Sequence, residues 1–160
     1  MDIRYLESLI SVAELGSIAR AARAQNLTPA AVGQRIAILE KHFNLALLNR
    51  GAHRAIPTET CLNLLPSARR IVREFHAMNA QTEPSGLAGK FTLGAISTAL
   101  TGMLPGTIRH LAEVAPKLAL QIKPGTSNSL VADLGEHRID AAIIALPPYA
   151  LPRSMNVELL

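Results

Sequence analysis

The stretch from Ser17 to Leu39, SIARAARAQNLTPAAVGQRIAIL, constrains the fold more than any other part of the chain. Ser17 opens a short run in which Ile18, Ala21 and Ala22 fall on one helical face, and the alanine pair leaves room for a second helix to approach. Asn26-Leu27 make a turn. Thr28 supplies a second cap oxygen, and Pro29 takes the first helical position, where a missing N–H leaves no bond unmade. Val32, Ile36, Leu39 and Phe43 then recur at i, i+4, i+7 and i+11 and face a core, while Ala30, Gly33, Gln34 and Ala37 take the other face. Two short helices joined this way, the second with a closed apolar side and an open small and polar side, form the pattern of a helix-turn-helix that offers its second helix to a DNA major groove. Gly33 is anomalous, since a mid-helix glycine is about 1 kcal/mol less favourable than alanine.

The flanks extend the pattern. Ile3, Leu6, Ile10 and Ala13 lie at helical spacing and predict a helix over 3–15, ended by Gly16. Residues 45–57, LALLNRGAHRAIP, read as a two-stranded wing around Gly51 with Arg50, His53 and Arg54 at its tip; arginines there fit a minor groove, and a solvated turn is the plainer alternative. Thr58 caps a long helix over 59–80. Cys61, Leu64, Ala68, Ile71, Phe75 and Met78 are spaced 3, 4, 3, 4, 3, the seam of a coiled coil, with Leu62, Leu65 and Val72 widening it. A dimerising helix is the preferred reading, an intramolecular core helix the alternative, and Pro66 is expected to kink it.

Residues 81–89, QTEPSGLAG, read as a hinge. Beyond it the pattern alternates: strand 90–94, helix 103–114 with Leu104, Ile108 and Leu111 inward, strand 118–123, helix 129–136, and a buried strand 141–146. That βαβαβ order predicts a parallel sheet.

Charge agrees with a nucleic-acid partner for the first half. The chain of 160 residues carries a net +4; residues 1–81 hold ten Lys/Arg against six Asp/Glu, and residues 82–160 six of each. A net of +4 taken by itself is ordinary. Three Phe, two Tyr and no Trp argue against binding by stacking of unpaired bases. Cys61 is the lone cysteine, so no intrachain disulfide forms and a reducing cytoplasm is the expected setting. The N-terminus has no signal-peptide pattern, and the longest apolar run, AAIIAL, is strand length, so no membrane partner is expected. Catalysis is not expected either. His42, His53, His76, His110 and His137 show no metal-ligand spacing, Cys61 has no assignable base, and Gly86, Gly89 and Gly94 make no phosphate-binding motif. No catalytic residue, metal or cofactor is therefore predicted.

Over essentially its whole length the chain resembles the LysR-type transcriptional regulators. The resemblance is carried by MDIRYLESLISVAELGSIARAA, LTPAAVGQRIAILEKHF, LLNR at 47–50, PTET at 57–60, LLPSARRI at 64–71, FTLGAISTALTGMLP and LGEHRIDAAII. It implies an α+β chain. A mainly helical winged helix-turn-helix domain (1–58) would lead into a dimerisation helix (59–80) and a hinge (81–89). An incomplete, periplasmic-binding-protein-like α/β effector subdomain (90–160) would follow. It further implies a cytoplasmic regulator that binds double-stranded promoter DNA as a homodimer or homotetramer. DNA contacts would come from Ser17, Arg20, Thr28, Pro29, Ala30, Gly33, Gln34, Arg35, Arg50 and Arg54, with Arg35 on the phosphate backbone. Dimerisation would use Leu64, Ala68, Ile71, Phe75 and Met78. Ser97, Thr98 and Thr126, at strand ends, would face a small-molecule effector. Family members run to about twice this length, which predicts a truncated effector domain whose cleft has one wall. The alternative function is an interaction protein that pairs with full-length relatives and blocks their assembly. Two positions depart from the family: Gly33 stands where serine is usual, and Cys61 where glycine is common.

Overall fold

The computed structural model describes residues 1–50, 55–80 and 87–160. The chain divides into two compact units, Met1–Thr82 and Glu83–Leu160.

The first unit is three helices, a small hairpin and a long helix: α1 (Ile3–Leu15), α2 (Ile18–Ala24), α3 (Pro29–Phe43), β1 (Leu48–Arg50), β2 (Ala55–Pro57) and α4 (Glu59–Ala80). The caps are those the sequence predicts. The Ser17 hydroxyl accepts from Arg20 N, the Thr28 hydroxyl from Ala31 N, and Gly16 closes α1 in the left-handed region. Leu6, Leu9, Val12, Ala21, Ala22, Val32, Ile36, Leu39, Leu47, Leu48, Cys61, Leu65 and Ala68 form one core, so the first turns of α4 belong to it. Pro66 does not end α4, which runs on to Ala80. The proline removes one helical bond, to the carbonyl of the exposed Leu62.

The second unit is a three-stranded parallel sheet with helices: β3 (Gly89–Ala95), α5 (Ser97–Thr101), α6 (Leu104–Val114), β4 (Leu118–Pro124), α7 (Ser127–Gly135) and β5 (Ala141–Ile143). The strand order is β4-β3-β5, with Leu93 opposite both Ile122 and Ala141. Leaving β4, the chain crosses back over β3 through α7. Gly94 lets α7 come down onto the sheet: a Cβ there would stand 2.6 Å from Ile139 Cδ1 and 2.7 Å from Leu130 Cδ2.

Three expectations are corrected. The strand at 141–146 stops at Ile143 and is a half-buried edge strand, not a buried one. Beyond it Pro147 and Pro148 have no N–H to extend the ladder. The helix placed at 129–136 begins at Ser127, with Ser129 serving in its capping box. The five-residue α5 was not anticipated; ALT after Ser97-Thr98 is too short for a periodic signal.

Candidate nucleic-acid interface

α3 is held from behind and open in front. Val32, Ile36 and Leu39 are buried, whereas Thr28, Pro29, Ala30, Gln34 and Ala37 are exposed and Gly33 half-exposed. Arg20 is exposed on α2, and Ser17 half-buried at its start. Asn26 takes φ 54°, a left-handed turn residue that lets Leu27 N donate to Ala22 O at 2.8 Å. The Glu40 carboxylate accepts from Leu47 N at 2.9 Å and Leu48 N at 3.3 Å, fixing the end of α3 to the first wing strand. The wing pairs antiparallel, Leu48 with Pro57 and Arg50 with Ala55. Of the wing arginines, Arg54 lies outside the described residues, as does His53, and only the backbone of Arg50 is described.

Arg35 departs from its expected place. Its guanidinium turns inward instead of toward solvent on the α3 face, and Nη1 donates to Ser8 Oγ at 3.1 Å, Gln25 Oε1 at 3.4 Å and Arg4 O at 3.5 Å. Position 35 lies between the buried Val32 and Ile36 side and the exposed Gln34 side, so a long side chain there can reach either way. Ser8 is fully buried, and its hydroxyl donates to Gln25 Oε1 at 2.8 Å. Sequence reasoning missed Ser8, Gln25 and Glu40 because no periodicity marks a polar residue that bridges elements.

The seam of α4 splits in two. Cys61, Leu65 and Ala68 are buried in the first unit's core and Leu64 packs against it. Leu64 and Ala68 are therefore covered within the chain rather than presented to a partner, because α1 packs on the first turns of α4. The exposed remainder is Ile71 at 45%, Phe75 at 42% and Met78 at 66%. Polar contacts tie α4 to α1, among them Arg69 Nε to Glu14 Oε1 at 3.3 Å and His76 Nε2 to Glu7 Oε1 at 2.8 Å. Burial pushes the Cys61 thiol up to about 11.

In the second unit a cavity of about 500 Å³ lies beyond the C-terminal ends of β3 and β5. The chain leaves β3 through α5 and α6 to β4 on one side and returns through α7 to β5 on the other, and open parallel sheets take ligands at such a change of direction. Ile96, Thr98, Ala99, Val131, Leu134 and Ile143 are among its lining residues. Of the three residues expected to face an effector, Thr98 lines the cavity. Ser97 and Thr126 do not, and the Thr126 hydroxyl is engaged as the cap of α7, accepting from Ser129 N at 3.2 Å. At the buried Asp133, burial pushes the carboxyl up, but hydrogen bonds from Lys123 and Arg138 outweigh it and hold it below the usual range. Among the described residues, no group of three His, Cys, Asp or Glu side chains could hold a metal ion, and no helix is long and apolar enough to cross a membrane.

Comparison with known proteins gives two family matches. Residues 3–62 match the bacterial regulatory helix-turn-helix protein of the lysR family, and residues 84–160 the LysR substrate binding domain. A protein of Mycobacterium xenopi described as a "probable hydrogen peroxide-inducible genes activator" is 33% identical over 144 residues, covering 89% of this chain and 76% of its own length. The chain belongs to the LysR family. A second LysR relative, the HTH-type transcriptional regulator CbbR of Cereibacter sphaeroides, is 29% identical over 152 residues, 92% of this chain and 49% of its own length. The chain thus spans about half the length of curated relatives it matches, 47–49% of CbbR and of six others. Among solved LysR structures, a full-length OxyR variant from Pseudomonas aeruginosa shares the fold with a TM-score of 0.69 at 22% identity, covering 94% of this chain and 50% of that one.

Proposed function

We propose that the chain is a cytoplasmic, non-enzymatic regulator of transcription that binds promoter DNA sequence-specifically as a dimer. The observation that carries this is α3, locked on its apolar side and open along Thr28, Pro29, Ala30, Gly33 and Gln34 in a LysR-family helix-turn-helix. In that reading Gln34 offers an amide to an adenine edge and Ala30 a methyl contact to thymine. Ser17 and Arg20 hold phosphates beside them, and Arg50 and Arg54 extend the footprint through the wing. Ile71, Phe75 and Met78, left exposed on α4, supply an apolar strip for a second copy. The same strip supports the second reading, pairing with a longer relative.

The cavity supports a small effector with apolar surface, with Thr98 as a hydroxyl partner. Several relatives are described as a "hydrogen peroxide-inducible genes activator". A thiol response to peroxide is not supported by Cys61, which is buried with a raised pKa where a reactive thiolate needs exposure and a lowered one.

The test is fluorescence anisotropy on a duplex enriched by the chain from a random library and on an unenriched random duplex, with sedimentation of the free protein. Preference for the enriched duplex and a dimer support the reading. Equal affinity for the two duplexes sinks sequence-specific binding. A monomer that dimerises only when mixed with a full-length relative supports the second reading.

A further inference from the structure

Behind α3 lies a contact set that apolar packing does not explain. Arg35 Nη1 lies within 3.1 Å of Ser8 Oγ on α1, 3.4 Å of Gln25 Oε1 at the end of α2 and 3.5 Å of Arg4 O in the first turn of α1. Ser8 Oγ in turn donates to Gln25 Oε1 at 2.8 Å. One guanidinium of the recognition helix therefore meets both other helices, at a serine that is fully buried. Asp2 stands at the same end of α1; hydrogen bonds from Arg4 hold its carboxyl down to about 2, and the charge of Arg35 adds to the effect.

The consequence is geometric. Val32, Ile36 and Leu39 hold α3 by apolar contact, which is non-directional and tolerates a helix turning or sliding by a fraction of a residue. A planar guanidinium directed at two fixed oxygens does not. A guanidinium engaged behind the helix is also withheld from a phosphate in front of it. We infer that Arg35 is a positioning residue for DNA recognition, fixing the angle at which α3 presents Gln34 and Ala30 by bonding to Ser8 and Gln25, and touching no phosphate. This rests on the DNA-binding reading above.

The test uses the whole chain with Arg35→Met, Ser8→Ala, their double variant, and Arg20→Ala as a phosphate-contact control. Affinities for the enriched and the unenriched random duplex are measured across a salt series, and folded fractions by circular dichroism. Arg35→Met and Ser8→Ala should each lower the ratio of the two affinities roughly tenfold with the salt slope unchanged, and the double variant should be no worse than the worse single, as for groups acting as one unit. Arg20→Ala should weaken both duplexes alike and reduce the slope by about 1.8, since a dimer loses two phosphate contacts at about 0.9 each. The inference is overturned if Arg35→Met reduces the slope by about that amount, since Arg35 would then hold a phosphate. It is also overturned if both affinities fall together in step with the folded fraction, or if the two single losses add in the double. Should Arg35→Met fail to fold, Ser8→Ala alone decides, because it alters no charge. Wild-type protein without preference for the enriched duplex overturns the sequence-specific reading on which the inference rests, an outcome the variants do not mimic.

Discussion

Gly33 sits in the middle of a well-capped helix with no heavy atom within 4 Å of where its Cβ would stand. Among the described residues nothing asks for glycine there, so the helix gives up about 1 kcal/mol at that position. Gly33→Ala should raise the melting temperature of the first unit by roughly 4–8 °C. It should also weaken binding to an enriched duplex if the bare backbone is where DNA approaches. A variant that melts higher and binds as well as wild type would remove Gly33 from the contact surface. Cys61 argues in the other direction. Its thiol ordinarily ionises near 9.0, and burial in the core moves it up to about 11. Below pH 9 both folded and unfolded thiols are protonated and the shift has no effect. Between 9 and 11 the unfolded thiol ionises and the folded one does not, so stability falls as pH rises. Denaturant melts at pH 8 and pH 10.5 should show a loss for wild type that Cys61→Ala lacks; equal losses would mean the thiol titrates freely in the fold.

At the scale of elements, α4 is one stripe with two uses. The spacing of Cys61, Leu64, Ala68, Ile71, Phe75 and Met78 announces an apolar face, but periodicity does not say who covers it. The fold answers with α1, which takes the first half through Leu65 and Ala68 and leaves Ile71, Phe75 and Met78 exposed. Leu65→Ala should therefore lower stability by about 2–5 kcal/mol in urea melts, as a buried leucine does. Ile71→Asp should leave the melt nearly unchanged and shift sedimentation from dimer to monomer. If Ile71→Asp instead unfolds the first unit, the exposed half belongs to the core as well. The helices α1 to α4 were legible in the sequence because caps such as Ser17 and Thr28 and stripes such as Val32-Ile36-Leu39 are local signals. What lies behind them was not: Arg35 reads as a cationic DNA contact until Ser8 and Gln25, 27 and 10 residues away, are brought beside it. In the second unit the strands were legible, but Thr126 at a strand end read as a ligand group when its hydroxyl is spent on capping α7.

At the scale of the molecule, the parallel character of the sheet follows from alternating strands and helices, but the order β4-β3-β5 does not. Only the crossing of α7 over β3 decides that β5 joins the far side, and the cavity lies between these strand ends and the segment that follows β5. The two units also have separate cores. Among the described residues, one gathers side chains from Leu6 to Ala68 and the other Ala95, Ala99 and Leu104. Stability of one unit should then depend little on packing in the other. Leu39 and Leu130, both fully buried, test this as a pair. Leu39→Ala should lower an unfolding transition that carries the DNA-binding activity, by about 2–5 kcal/mol. Leu130→Ala should lower a different transition by a similar amount, with affinity for an enriched duplex unchanged within twofold at temperatures where the first unit is intact. Calorimetry resolving two transitions, each moved by only one of the substitutions, would establish a DNA-binding unit that folds and works on its own core. A single transition moved equally by both would mean that the sheet stabilises the reader, and that DNA affinity is set by the whole chain.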